Sequence, residues 1–292
     1  PVCVPCKEDY RDTGGGHIGG FALIQRGLAR LADVLRGLEV RLTDIQSDHI
    51  HTAFLHAADQ TLQLTGGRGR DGAVYGREAL QAIGELAVEK DLYVIADEIY
   101  EKLLYGESRH ISLAALSEEF YRRTIVINGM SKAYRMTGWR IGYSAAPADI
   151  AKGISALQGH VTSNSTTFVQ WSAIEALERG EADVEAMVEE FVKRRDYAYQ
   201  RALALPHVKC TRPDGAFYLM PDVSWYYGKA AGDRRITDSF AMSEYLLQDY
   251  HVAVVPGGAF LAPEAIRIAY TNSLGEIQRG FDRIEEALSA LH

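Results

Sequence analysis

The chain has 292 residues, 47% hydrophobic and 24% charged, a balance that suits a globular protein with a sizeable core. Its formal net charge of −8 gives no default attraction to nucleic acid or to an anionic membrane. No apolar run reaches the roughly 20 residues of a membrane helix. Three cysteines are too few for a disulfide framework, and Pro1 to Lys7 lacks a secretory pattern, so the expected location is cytoplasmic.

The first seventy residues carry few structural signals. Residues 21–40 read as an amphipathic helix, while Gly14–Gly20 is not set between a clear strand and a helix, which weakens a dinucleotide-binding reading. Cys3 and Cys6 form a C-x-x-C with no second pair to complete a zinc site, and His49, His51 and His56 near Asp48 and Asp59 lack a well-placed set of ligands. No metal is expected.

From residue 72 the pattern sharpens. Arg77 to Glu89 has helical apolar spacing and Leu92 to Ala96 is a short apolar run, a helix followed by a buried strand. Thr124–Asn128 and Ile141–Ala145 read as further strands, with helices at 148–158 and 167–178. A long charge-laced helix, Ala182 to Leu205, ends before Pro206 and suits a connector between domains. Beyond it, Val208–Cys210, Ala216–Met220, His251–Val255 and Ala265–Tyr270 are strand candidates, with helices at about 237–249 and 275–291. The expected fold is α/β. A large domain over 1–183 holds a mostly parallel sheet flanked by helices, and a small α+β domain covers 184–292.

Two segments concentrate chemistry, VIADEIYEKLLYG at 94–106 and INGMSKAYRMTGWRIGYSAAP at 127–147. Asp97 closes a buried strand, where ligands gather in open α/β sheets, and a carboxylate there needs a partner. Tyr100 can present its hydroxyl to the same cavity. Lys132 follows the next strand; in a desolvated site its neutral amine is a nucleophile toward carbonyls. Arg140 offers a planar fork suited to phosphate, and Ser131 adds a hydroxyl. Each residue alone has a bland structural explanation; their order, with Gly138-Trp139-Arg140-x-Gly142 closing the set, favours a shared site.

The motifs D-E-I-Y, S-K-x-x-x-x-x-G-W-R-x-G, R-P-x-G-A-F-Y and V-x-P-G…I-R-I-A-Y resemble the class I/II (fold-type I) aminotransferases, in particular the prokaryotic aspartate aminotransferase-like branch, over residues 72 to 292. The resemblance implies pyridoxal 5'-phosphate as cofactor, held through Lys132, which also moves the proton at the substrate α-carbon. It implies that Asp97 pairs with the ring nitrogen, Tyr100 with the ring oxygen, and Ser131 and Arg140 with the phosphate. Arg267 matches the arginine that clamps the substrate α-carboxylate, and Asn164 falls where family members approach the neighbouring subunit's site. Gly215 and Gly257 read as backbone requirements.

The expected reaction moves an amino group from an amino acid, with aspartate the first choice, to a 2-oxo acid such as 2-oxoglutarate, in a homodimer. A β-lyase on the same scaffold and a non-catalytic relative are the alternatives. The sequence departs from the family before Ala73: where Asn-Pro-Thr-Gly is expected it reads Gly69-Arg70-Asp71-Gly72. Residues 1–71 contain no recognisable phosphate loop or ring-stacking aromatic.

Overall fold

A computed structural model describes residues 72–292. The amphipathic 21–40 segment, Gly14–Gly20, the C-x-x-C, the three histidines and Gly69-Arg70-Asp71 lie outside the described residues. The described chain forms two compact units. The first comprises Gly76–Ile99 and Ile111–Gly180; the second comprises 72–75, Tyr100–His110 and Glu181–His292.

In the first unit, helix α1 (Arg77–Glu89) buries Leu80, Ile83, Gly84 and Ala87, one helical face. A turn through Asp91, at φ 52°, leads to strand β1 (Val94–Asp97). The short helix α2 (Glu118–Tyr121) is capped by Ser117, whose hydroxyl accepts from the Phe120 amide at 3.1 Å. Strand β2 (Thr124–Gly129) then runs parallel to β1, in register from Val94 opposite Thr124 to Asp97 opposite Ile127. Strand β3 (Gly142–Ala145) pairs antiparallel to β2, giving the order β1-β2-β3. No crossover helix separates β2 from β3, so the chain folds back on itself. Helices α3 (Ala148–Val161) and α4 (Thr167–Arg179) complete the unit.

The second unit opens its main segment with α5 (Glu181–Ala204), which buries Val184, Met187, Phe191, Arg195, Ala198 and Ala202 at helical spacing. It packs against α7 (Leu274–Ser289), whose Ile277, Phe281, Ile284 and Leu288 form the matching apolar stripe. Helix α6 (Ser239–Tyr250) starts at Asp238, whose carboxylate accepts from the Phe240 and Ala241 amides at 2.8 and 2.9 Å. Strands β4 (Tyr218–Leu219), β7 (Val255–Pro256) and β8 (Ile266–Ala269) form an antiparallel sheet in the order β4-β8-β7.

The expected strand at Val208–Cys210 reduces to one bridge, Lys209 to Asp222. The one expected at His251–Val255 shortens, because His251 takes the left-handed cap of α6 at φ 56°. A hairpin was missed. Strands β5 (Ala230–Ala231) and β6 (Arg234–Arg235) are joined by Gly232-Asp233, with Gly232 at φ 59°. That dipeptide is a recognisable two-residue hairpin signal.

A buried cation organises the interior of this unit. Arg195 is 5% exposed, its guanidinium lies 4.6 Å from the Tyr105 ring centroid, and it pairs with Asp196 at 2.8 Å. Arg212 joins the same carboxylate oxygen at 2.9 Å. The Tyr105 hydroxyl donates to the Ala216 carbonyl, and the Tyr270 hydroxyl donates to that same oxygen at 3.3 Å. The backbone completes the tie, with Tyr105 N donating to Asp214 O and Ala216 N to Leu103 O, each at 2.9 Å. These bonds assign the segment Tyr100–His110 to the second unit.

Burial pushes the Tyr105 phenol up to about 12 and raises Tyr270 as well. An unfolded tyrosine ionises near pH 10. Between pH 10 and about 12 the unfolded chain has therefore lost a proton that the folded chain retains, so stability falls as pH rises through that window. Urea titrations across it should show a falling midpoint, with a shallower fall in Tyr105→Phe. An identical slope in that variant would assign the alkaline sensitivity to other groups.

Candidate active site

The first unit supplies an amine and a carboxylate at one sheet edge. Asp97 is the last residue of β1, opposite Ile127; β2 continues to Gly129, and Lys132 follows in the turn just beyond. Because β1 and β2 are parallel, both residues belong to the carboxyl edge, where open α/β sheets bind ligands. The Asp97 carboxylate accepts from the Ile99 amide at 3.2 Å, a local bond that holds the turn after the strand.

The turn bearing Lys132 is anchored from below. Met130, Ala133 and Met136 are buried, whereas Ser131 and Lys132 are half-buried. Met130 and Met136 pack with Ala173, flanked by Tyr134, Ile141 and Ala176. The Tyr134 amide donates to Met130 O at 3.2 Å, and Arg135 adopts φ 55°. Just before the turn, β2 and β3 approach at Gly129 opposite Gly142. A Cβ on Gly129 would lie 2.9 Å from both the Gly142 Cα and the Ile141 carbonyl oxygen. Only glycine permits that approach.

Arg140 ends this segment in a left-handed conformation at φ 54°. It is exposed, donates to the Thr137 carbonyl at 2.9 Å, and makes no ion pair among the described residues. Asn164 is exposed in the loop between α3 and α4, next to Ser163 at φ 65°, and its amide donates to Thr162 O at 2.8 Å.

The second unit holds Tyr100 and Arg267. Tyr100 O accepts from the Leu103 amide at 2.8 Å, and its ring meets Phe217 and Tyr218 edge-on, with centroids 5.3 and 5.6 Å away. Arg267 sits in β8 opposite Val255, and Tyr218 in β4 lies opposite Ala269. Tyr218 and Arg267 are thus diagonal neighbours on one face of the sheet. The guanidinium carbon lies 4.9 Å from the Tyr218 ring centroid and 4.0 Å from that of Phe260. Among the described residues, the Arg267 side chain makes no hydrogen bond or ion pair. Its charge is held by two π faces and left available to an incoming anion.

Tyr218 closes the R-P-x-G-A-F-Y motif but has no role assigned there, and Phe260 lies outside every motif. The signal for Tyr218 was the alternation in a strand pairing with the one that carries Arg267. Phe260 had none, since it comes from the short helical turn Gly257–Phe260.

Chemically, then, the first unit presents an amine and a carboxylate at one sheet edge, and each unit holds an arginine with no acidic partner among the described residues. Residues 64–284 match the family model for aminotransferase class I and II. The chain belongs to this family. It is 45% identical over 214 residues to an aspartate aminotransferase of Bacillus sp. (strain YM-2), covering 73% of this chain and 54% of the relative. It is 41% identical over 222 residues to a probable aspartate/prephenate aminotransferase of Aquifex aeolicus, covering 75% and 55%. The solved aspartate aminotransferase of Rhizobium meliloti superposes with a TM-score of 0.73 at 33% identity, covering 76% of this chain and 56% of that one. The aromatic aminotransferase of Pyrococcus horikoshii gives 0.68 at 36%, covering 75% and 57%. The fold is therefore that of the fold-type I aminotransferases, which use pyridoxal phosphate. The chain spans about half the length of the curated relatives it matches.

In this member of the family, Gly257 sets the turn that delivers Phe260. Its amide donates to Ala265 O and its carbonyl accepts from Ala262 N, both at 2.9 Å. A Cβ there would collide with the carbonyl oxygens of Ala262 and Ala265. Backbone cannot swing aside as a side chain can, so Gly257→Ala should destabilise the protein by about 1–3 kcal/mol. Urea denaturation measures this, and an unchanged midpoint would contradict the close approach.

Proposed function

We propose that this chain carries the catalytic apparatus of a pyridoxal-phosphate-dependent aminotransferase that moves the amino group of aspartate to 2-oxoglutarate. The observation that carries the reading is the placement of Asp97 and Lys132 at the ends of adjacent parallel strands. The aspartate aminotransferase relatives support the choice of substrate.

The donor set of the first unit fits the cofactor. Asp97 offers a carboxylate for a protonated ring nitrogen and Lys132 a primary amine. Ser131 offers a hydroxyl and Arg140 a guanidinium, which makes no ion pair among the described residues, for a phosphate. Pyridoxal phosphate, when bound, supplies an electron sink for negative charge at the substrate α-carbon. Lys132 would hold the cofactor covalently through Nζ, which must be uncharged to act as a nucleophile. When not bonded to the cofactor, Nζ would be placed to accept the α-carbon proton and to return it. A bound base of this kind replaces a bimolecular encounter with a positioned one.

Asp97 would keep the ring nitrogen protonated, which preserves the ring's appetite for electrons. The Tyr100 hydroxyl would donate to the ring oxygen. Arg267 would grip the substrate α-carboxylate with two parallel N–H bonds, a geometry that lysine cannot reproduce. Asn164 would serve the site of a neighbouring subunit in a homodimer. Supporting that assembly, α4 exposes a row of apolar side chains spaced by three, Phe168, Trp171, Ile174 and Leu177, with Trp171 68% exposed. Such a row suits burial against another protein surface. Sedimentation should give twice the chain mass, and Trp171→Glu should shift the protein toward monomer.

The deciding test loads the purified protein with pyridoxal phosphate, removes the unbound cofactor and records the visible spectrum. A bound chromophore should be present and should vanish in Lys132→Ala; borohydride reduction should fix the label on the peptide containing Lys132. Turnover of aspartate with 2-oxoglutarate follows in the loaded protein. An unlabelled Lys132 peptide, or a spectrum indifferent to Lys132→Ala, would overturn the reading.

A further inference from the structure

The aromatic residues around Arg267 do more than fill space. Tyr218 touches two groups that the proposed function assigns to different ligands. One edge of its neighbourhood is Tyr100, whose ring meets it at 81° with centroids 5.6 Å apart. On the other side stands the Arg267 guanidinium, 4.9 Å from the Tyr218 centroid. Phe260 also meets that guanidinium, with its ring centroid 4.0 Å from the guanidinium carbon, and makes no ring pair with Tyr100 among the described residues. Among the described residues the chain of contact therefore runs Tyr100, Tyr218, Arg267, Phe260, and Tyr218 meets both the first and the third members.

We infer that Tyr218 is a positioning residue that sets the separation between the cofactor-facing phenol of Tyr100 and the carboxylate-binding guanidinium of Arg267, whereas Phe260 orients Arg267 only. The inference rests on the roles proposed above for Tyr100 and Arg267. Its physical basis is the stiffness of each contact. Edge-to-face packing restrains the Tyr100 ring plane. A guanidinium stacked over a π face keeps its N–H groups in its own plane, where a planar carboxylate can take two of them.

Backbone structure makes this spacer rigid. Tyr218 lies in β4, in register with Ala269 of the strand that carries Arg267. Directly before it in the chain, Phe217 stacks on Phe191 of α5, with centroids 5.7 Å apart and planes 24° apart. Before that, Ala216 is held at φ 57° by the two tyrosine hydroxyls on its carbonyl. Rotation of Tyr218 toward either neighbour is thereby restricted. What the role requires is the ring, not the hydroxyl.

The experiment measures two affinities on each variant. Pyridoxal phosphate binding is read from the visible spectrum, and binding of succinate, a dicarboxylate without an amino group, is read by calorimetry on the loaded protein. Tyr218→Leu should weaken both ligands, each by about tenfold, in line with the loss of one aromatic contact on each side. Tyr218→Phe should restore both to within about twofold of wild type. Phe260→Leu should weaken succinate by about tenfold and leave the cofactor affinity unchanged. Tyr218→Met, similar in bulk but without a ring, stands in should the leucine variant fail to fold.

Loss of only one affinity in the ringless Tyr218 variants, or loss of both in Tyr218→Phe, would overturn the spacer role. Loss of cofactor affinity in Phe260→Leu would overturn the division of labour. Arg267→Gln separates this failure from that of the underlying reading: succinate binding that survives it removes the carboxylate clamp itself, and the inference with it. A merely structural Tyr218 would lower melting temperature without this pattern of paired and single losses.

Discussion

The parallel register between β1 and β2 is the constraint on which the first unit's chemistry depends. Asp97 stands opposite Ile127, so the neighbouring strand ends soon after it and the turn holding Lys132 begins within a few residues. A one-residue slip of β2 would reverse which face each of its side chains meets, and would move the turn by about 3.3 Å along the strand. The pairing of Gly129 with Gly142 resists such a slip, because any residue with a Cβ brought to that crossing would meet backbone. The methionines beneath the turn add an apolar anchor that rewards one register. Strand pairing and core packing thus both act on the placement of the amine.

In the second unit, the environment of Arg267 shows which of two solutions the fold adopts for a half-buried cation. Arg195 illustrates the first: it is buried against Asp196, which Arg212 shares, and the charge is satisfied internally. Arg267 illustrates the second, with two rings and no acid among the described residues. A fixed carboxylate would compete with any incoming one. Two π faces, each contributing about 0.5–2 kcal/mol, stabilise the cation without occupying its in-plane donors. The same residue type is a structural tie in one place and, in the proposed function, an anion receptor in the other, and the distinction lies in the partner.

Much of this organisation is legible in the sequence. The helices from Arg77 onward announce themselves by apolar spacing, and α1, α5 and α7 fall within one or two residues of expectation. Strands that are continuous apolar runs, such as Thr124–Gly129, are equally plain. Legibility fails where tertiary contacts override local pattern. His251 reads as the start of a strand, but the left-handed cap of α6 takes it. Val208 and Cys210 have strand character yet only Lys209 finds a bridging partner. The site divides the same way. Asp97, Lys132 and Arg140 carry motif spacing, since their separation along the chain is set by strand and turn lengths. Tyr218 and Phe260 reach Arg267 through a sheet pairing and a helical turn, and those distances are written in no local pattern.

Four of the eight non-glycine residues with left-handed backbone among the described residues lie at the turns next to Lys132, Tyr218 and Phe260. Arg135 and Arg140 bracket the segment following Lys132, Ala216 precedes Tyr218, and Leu261 follows Phe260, with φ between 54 and 57°. For residues with a side chain this conformation costs about 1–2 kcal/mol each, and it persists only where surrounding contacts over-determine it. At Ala216 the determining contacts are visible: two buried phenols donate to its carbonyl, and its amide reaches Leu103. Each such bond contributes about 0.5–1.5 kcal/mol net, so together they exceed the strain they hold. The strained turn and the buried tyrosines are therefore one device, and its product is the fixed exit of the chain into β4, where Tyr218 meets Arg267.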